Sequence, residues 1–236
     1  MIRYSLAGCR GGTQRGLMAL SMFVALNAAS AQSHRSETPA LGPKEALDRL
    51  VHGNALFVSG KTKHPRQDAS TRKKLTGGQQ PFAAILSCSD SRVPPELVFD
   101  QGIGDLFVVR VAGNIGGEDD LGSIEYSVEH LHTSLVVVMG HEKCGAVTAA
   151  LAPDSVRQHE AFGIQQMLAH VFPSLVQIDR SLPPAEQVHQ GVEANVRASV
   201  DHLRNTPELK EKIANGTLSV VGAVYELETG KVRLLQ

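Results

Sequence analysis

Hydrophobic positions in this chain fall into two patterns that alternate along its length. The first has helical spacing: Ala46, Leu47, Leu50, Val51, Ala55 and Leu56 recur every three or four residues behind Pro43, and Gly60 closes the run. The second is continuous. Pro81 to Ser87, Leu135 to Gly140 and Leu218 to Tyr225 are short apolar runs with no polar alternation, the signature of strands buried on both faces of a parallel sheet, and Leu106 to Arg110 reads as a further strand. A basic connector from Lys61 to Lys74 and a turn at Gly77–Pro81 lead into the first run. Pro94 to Phe99 reads as a short helix begun by proline. Glu118, Asp119 and Asp120 open a helix through His132, their charge suiting its dipole. Helices are predicted at 144–152, 157–172, 184–205 and 207–214, a crossover long enough for a parallel partner strand. Asn215-Gly216 turns into the last long run, and Thr229-Gly230 allows a hairpin to Val232–Leu234. The expected class is α/β: one domain with a central, mostly parallel sheet of four strands, an antiparallel edge strand and flanking helices.

The start of the chain departs from this alternation. Arg3, Arg10 and Arg15 precede an apolar stretch, Leu17 to Leu26, and then the small-x-small sequence Ala29-Ser30-Ala31. That is the layout of a secretory signal peptide cleaved after Ala31, and the apolar stretch is shorter than the ~20 residues that cross a bilayer. The expected organisation is a cleaved signal peptide at 1–31, a flexible tail at 32–41 and a catalytic domain at 42–236. The expected location is the periplasm or beyond the cell, with no stable membrane insertion after cleavage.

Composition narrows the function. With 42% hydrophobic and 20% charged residues, 236 positions suit an ordinary globular core, and a net charge of -1 without a basic stripe argues against a nucleic-acid partner. Three cysteines are present, and Cys9 leaves with the leader. The two that remain end up beside the predicted sheet. Cys88-Ser89-Asp90-Ser91-Arg92 follows the first strand, and His141-Glu142-Lys143-Cys144-Gly145 begins at the end of the third.

Ligands in open α/β sheets gather at the carboxyl ends of such strands. Two thiolates and one imidazole are ligands zinc accepts, and three protein ligands leave its fourth tetrahedral position open, as in catalytic sites. The competing reading is a disulfide between Cys88 and Cys144, natural in an exported chain. A carboxylate at Asp90 can fill the open position in a closed state, pair with Arg92 near the metal, or form only a surface ion pair. The loop with Gly113, Gly116 and Gly117 lacks the spacing of a phosphate cradle and reads as a connection.

Cys-x-Asp-x-Arg, followed by His-x-x-Cys-Gly, resembles the β-class carbonic anhydrases. The resemblance runs from about Pro43 to Leu234, through Phe99-Asp100-Gln101-Gly102, Phe107-Val108-Val109-Arg110-Val111-Ala112-Gly113-Asn114 and Ser123-Ile124-Glu125-Tyr126. It implies one Zn²⁺ per chain, held by Cys88, His141 and Cys144, with Asp90 and Arg92 as the catalytic dyad. It also implies a plant-type substrate pocket of Gln79, Phe107 and Tyr126 in which two subunits meet, so a homodimer or an assembly of dimers is expected. Core packing is the plainer reading of Phe107 and Tyr126. Gly145 matches a position whose backbone N–H helps hold substrate. No tryptophan is present for the bicarbonate regulatory site of the family's other subclass.

The activity implied is reversible hydration of CO2 to bicarbonate and a proton through zinc-bound hydroxide. The alternatives are another zinc-hydroxide lyase or hydrolase acting on a CO2-like substrate, or an exported binding protein with a disulfide. His130, His132, His159 and His170 are available as proton carriers, but none has a decisive position in the sequence. The leader pattern predicts a mature protein that begins near Gln32; intact mass of the exported chain checks this, and retention of residues 1–31 would refute it.

Overall fold

The structure is a computed structural model that describes residues 41–236; the predicted leader and all of the predicted tail except Leu41 lie outside the described residues. Five strands form one sheet: β1 (Ala83–Ser87), β2 (Leu106–Arg110), β3 (Leu135–His141), β4 (Ser219–Tyr225) and β5 (Val232–Leu234), in the spatial order β2-β1-β3-β4-β5. The first four are parallel and β5 runs antiparallel to β4, as the hydrophobic pattern predicts. Every residue of β1 and β3 is buried, which is why their sequences show no alternation. β2 forms one edge of the sheet and is only partly covered.

The chain leaves β1 for β2 on one side and returns to β3 on the other. Strand order therefore reverses between β1 and β3, and the crevice at their carboxyl ends is where such a sheet takes a ligand. Cys88 follows β1 directly and His141 is the last residue of β3.

Helices α1 (Pro43–Val58), α2 (Ala69–Lys74) and α3 (Pro95–Val98) precede β2, and α4 (Glu118–Glu129) joins β2 to β3. Between β3 and β4 come α5 (Gly145–Leu151), α6 (Asp154–Arg157), α7 (Phe162–Val171), α8 (Pro184–Asn205) and α9 (Pro207–Ala214). Two predicted boundaries need correction. The helix expected through His132 stops at Glu129, because His132 adopts φ 58° and the Thr133 N–H returns to Ser127 O. The helix expected over 157–172 is split, because the Gln165 amide donates to the carbonyls of Gln158 and Glu160 and gives the intervening turn its partners. Among the described residues no helix is long and apolar enough to cross a membrane.

The long helix α8 buries Val192, Val196, Val200 and Leu203 and packs on β3 and β4. On α1, Ala46 and Leu50 are buried, and Asn54 ties the helix to two distant segments. Its amide donates to Val98 O and Gly230 O, and its carbonyl accepts from the Val232 N–H. Beside it, Gly53 lets α1 approach the segment that follows the Cys88–Arg92 motif. A Cβ there would lie 1.8 Å from Phe99 O. Helix propensity alone favours Gly53→Ala by about 1 kcal/mol, but the backbone contact outweighs it. The substitution is expected to destabilise the protein by about 2 kcal/mol or more; chemical denaturation measures this, and a stabilised variant would show that α1 is free to shift.

Candidate metal centre

Cys88, His141 and Cys144 meet at the carboxyl ends of β1 and β3. One ligand atom from each lies within 4.8 Å of the others, and all three residues are buried. Cys144 precedes the first turn of α5, so the sequence delivers it to the site one short turn after β3 ends. Both cysteines are free thiols, so the structure does not contain the alternative disulfide.

The imidazole is held for one purpose. His141 Nδ1 donates to Glu142 O at 2.8 Å, which fixes the proton on that nitrogen and leaves Nε2 as an acceptor. Nε2 is buried and has no hydrogen-bond partner, a costly state for a polar atom unless a ligand takes the lone pair. The two sulfurs show the same incompleteness. The Cys88 thiol is brought down to about 4, chiefly by the hydrogen bond from Cys144, against the effect of burial. Cys144 is pushed far up, first by that same bond and then by burial. Without a cation the pair therefore keeps one proton. A divalent metal lets both sulfurs ionise, and the donor set fits zinc.

Asp90 stands beside this trio without joining it. Arg92 grips the carboxylate three times: its backbone N–H and Nε donate to Oδ1 at 2.9 and 2.8 Å, and Nη2 donates to Oδ2 at 2.7 Å. These bonds, the side-chain ones first, hold the Asp90 carboxyl well below the usual carboxylate range. Its Oδ2 lies 3.8 Å from His141 Nε2, close enough to address whatever that nitrogen binds. The ion pair is not buried as a unit: the Arg92 side chain is 51% exposed and that of Asp90 18%.

Two supporting groups stand in a matched segment of the sequence that assigns them no role. Arg110, at the end of β2, donates through Nε to Cys88 O at 3.0 Å and through Nη2 to Asp90 O at 2.6 Å. One guanidinium thus holds the backbone of both Cys88 and Asp90. Its signal was a lone charge ending an apolar strand, in register with Ser87. The Gly113 N–H donates to Cys88 Sγ at 3.3 Å. Gly113 adopts φ 77°, a left-handed conformation that suits glycine, so the loop set aside as a connection supplies a contact to a candidate ligand.

The expected pocket residues are elsewhere within the chain. Phe107 and Tyr126 do meet, with ring centroids 6.2 Å apart, and His130 lies 5.0 Å from Tyr126. But Phe107 pairs with Ala84, four residues before Cys88, which is about 13 Å along the strand. Gln79 is exposed in the segment before β1, at that same amino-terminal end. Gly145, by contrast, opens α5 next to Cys144, with nothing within 4 Å of where a Cβ would stand.

The family model described as carbonic anhydrase matches residues 83–232, which is more than half of the chain. The chain belongs to the carbonic anhydrase family. Carbonic anhydrase 2 of Mycobacterium tuberculosis is 39% identical over 197 residues, covering 83% of this chain and 94% of that protein. The carbonic anhydrase of Mycolicibacterium smegmatis is 37% identical over 196 residues, covering 83% and 95%. Among solved structures, a Coccomyxa β-carbonic anhydrase in complex with acetazolamide superposes with a TM-score of 0.65 at 30% identity, over 80% of this chain and 86% of that one. A tetrameric β-carbonic anhydrase from Sordaria macrospora gives 0.65 at 27%, over 80% and 96%. These likenesses assign this carbonic anhydrase to the β class, and the single α/β domain agrees with them.

Proposed function

We propose that this chain catalyses the reversible hydration of CO2 to bicarbonate and a proton, using one Zn²⁺ held by Cys88, His141 and Cys144. The observation that carries the reading is the buried, partnerless Nε2 of His141 among two thiols, with the Asp90 carboxylate 3.8 Å away. When bound, zinc supplies a Lewis acid that lowers the pKa of water at its open position. The chain's own residues do the rest. Arg92 keeps Asp90 ionised and turned away from direct ligation, so Oδ2 is free to accept a hydrogen bond from the attacking water and orient its lone pair. The Gly145 N–H is a donor for a substrate oxygen. Stopped-flow CO2 hydration with zinc measured in the same sample tests the whole reading: activity with one zinc per chain is expected, and inactivity of the fully loaded protein would overturn it.

The roles of the dyad are separable by mutation. Arg92→Ala is expected to leave zinc bound but free Asp90 to become a fourth ligand, so hydration falls steeply at unchanged metal content. Asp90→Asn leaves the position open but removes the anionic acceptor. X-ray absorption should therefore show a fourth protein ligand in the first variant alone. Near-normal turnover of Arg92→Ala would reduce the pair to a structural role.

We further propose that the substrate pocket is completed between two copies. Gln79, Phe107 and Tyr126 of one chain sit at the wrong end of β1 for its own metal trio. Phe107 belongs to the edge strand β2, whose Leu106, Phe107 and Val108 are only partly buried, and Tyr126 stacks near it. An edge of this kind invites a second copy. The proposed assembly is a homodimer or an assembly of dimers, and the leader pattern supports export to the periplasm or beyond. Sedimentation is expected to show no active monomer; full activity in a monomer at assay concentration would refute the shared pocket.

A further inference from the structure

On the apolar face of α8 two polar residues interrupt the valines. Asn195 and Ser199 lie four residues apart, 3% and 8% exposed, between the buried Val192, Val196, Val200 and Leu203. A buried amide on a packing face is unfavourable unless it is bonded, and both residues are bonded to the same place. Asn195 Nδ2 donates to Gly113 O at 2.7 Å, and Ser199 Oγ donates to Asn114 O at 3.2 Å. The acceptors are successive carbonyls of the turn whose Gly113 N–H reaches Cys88 Sγ. Both turn residues have left-handed backbone, φ 77° at Gly113 and 44° at Asn114, so their carbonyls need partners at fixed positions to hold that shape. On its other side the turn is wedged: a Cβ on Gly113 would lie 3.1 Å from Ala146 Cβ and from Val171 Cγ2. Ser174 Oγ lies 3.3 Å from Asn195 Oδ1 but gives its proton to Val171 O at 2.7 Å, so the Nδ2 bond to Gly113 O sets which way the amide faces.

We propose that Asn195, with Ser199 as its second, is a positioning residue for the metal centre: it sets the 113–114 turn so that an N–H is held on the Cys88 sulfur. Neither residue touches the ligand trio. The link is indirect, from α8 through the turn to the thiolate, and it draws the long crossover helix into the chemistry of a residue far away in sequence. A hydrogen bond to a thiolate lowers the energy of its lone pairs and orients it. Partners of this kind typically account for 10- to 100-fold in metal affinity.

The inference rests on the zinc reading above, and its test separates the two. Wild type, Asn195→Leu and Ser199→Ala are compared for zinc affinity by chelator competition. The thiolate-to-metal charge-transfer band of the cobalt(II) form and the melting temperature of the metal-free form are measured alongside. Asn195→Leu keeps the branched shape of the side chain and removes the hydrogen bond to Gly113 O. Expected are a zinc affinity about 10-fold or more below wild type and a charge-transfer band moved to longer wavelength, as an unbonded sulfur is easier to oxidise. Ser199→Ala should move both in the same direction by less. A lower melting temperature with affinity and band unchanged would overturn the proposal, leaving Asn195 a packing residue. If Asn195→Leu does not fold, the affinity and band of Ser199→Ala decide between the same two outcomes. A folded wild type that takes up no zinc would instead overturn the zinc reading, and this inference with it.

Discussion

Two buried sulfurs within hydrogen-bond reach of each other cannot both carry a negative charge unless a cation joins them. That constraint governs the Cys88–Cys144 pair, in which one thiol is depressed at the expense of the other. The surrounding chain removes the ordinary ways of relieving it. His141 turns a bare nitrogen toward the same space while its other nitrogen is committed to Glu142 O. Burial keeps bulk water from solvating the charge. What remains is a place where a soft divalent ion is the natural completion, and zinc satisfies it.

Bringing three such residues together takes a rigid scaffold, because ligand atoms from two strand ends and a helix start must be held within 4.8 Å of one another. The parallel sheet supplies it through β1 and β3, fully buried and paired to each other: β1 ends at Ser87, level with Met139, and Cys88 follows it directly, while β3 runs two residues further to end on His141. Arg110 and the Gly113 turn then fix the backbone and the sulfur of Cys88 from the β2 side. The peripheral helices act on the centre through these intermediates, which is how a packing face on α8 comes to bear on a thiolate.

Much of this was legible in the sequence because it rests on local pattern. Continuous apolar runs gave the strands and their parallel arrangement, and placing Cys88 and His141 at strand ends gave the meeting of these two residues with Cys144. Legibility failed where a single residue bonds at long range. The Gly113 loop looked like a connection because its role is one N–H, which no side chain advertises. Arg110 was visible as part of a matched segment, but its two carbonyl partners are set by strand register. Asn195 and Ser199 were hidden inside a helix whose valines alone explain its packing. The early stop of the helix at Glu129 and the split at Gln158–Glu160 have a local origin instead: Thr133 and Gln165 bond nearby carbonyls that periodicity does not encode.

Openness of the fourth coordination position is, on the proposed reading, decided at the least protected part of the site. Arg92 holds Asp90 in a bidentate grip reinforced by its backbone N–H, so geometry favours the pair. Yet the guanidinium is half exposed, and an ion pair so placed contributes little in water. Direct ligation of Asp90 to a divalent cation competes with that small margin. Covering Arg92 changes the balance, because the same pair in a lower dielectric attracts more strongly. A second copy docked along the β2 edge, where Arg110 ends the strand and bonds Asp90 O, would supply such cover close by. In the proposed assembly, pairing of two copies and an open metal position would then be two consequences of one surface.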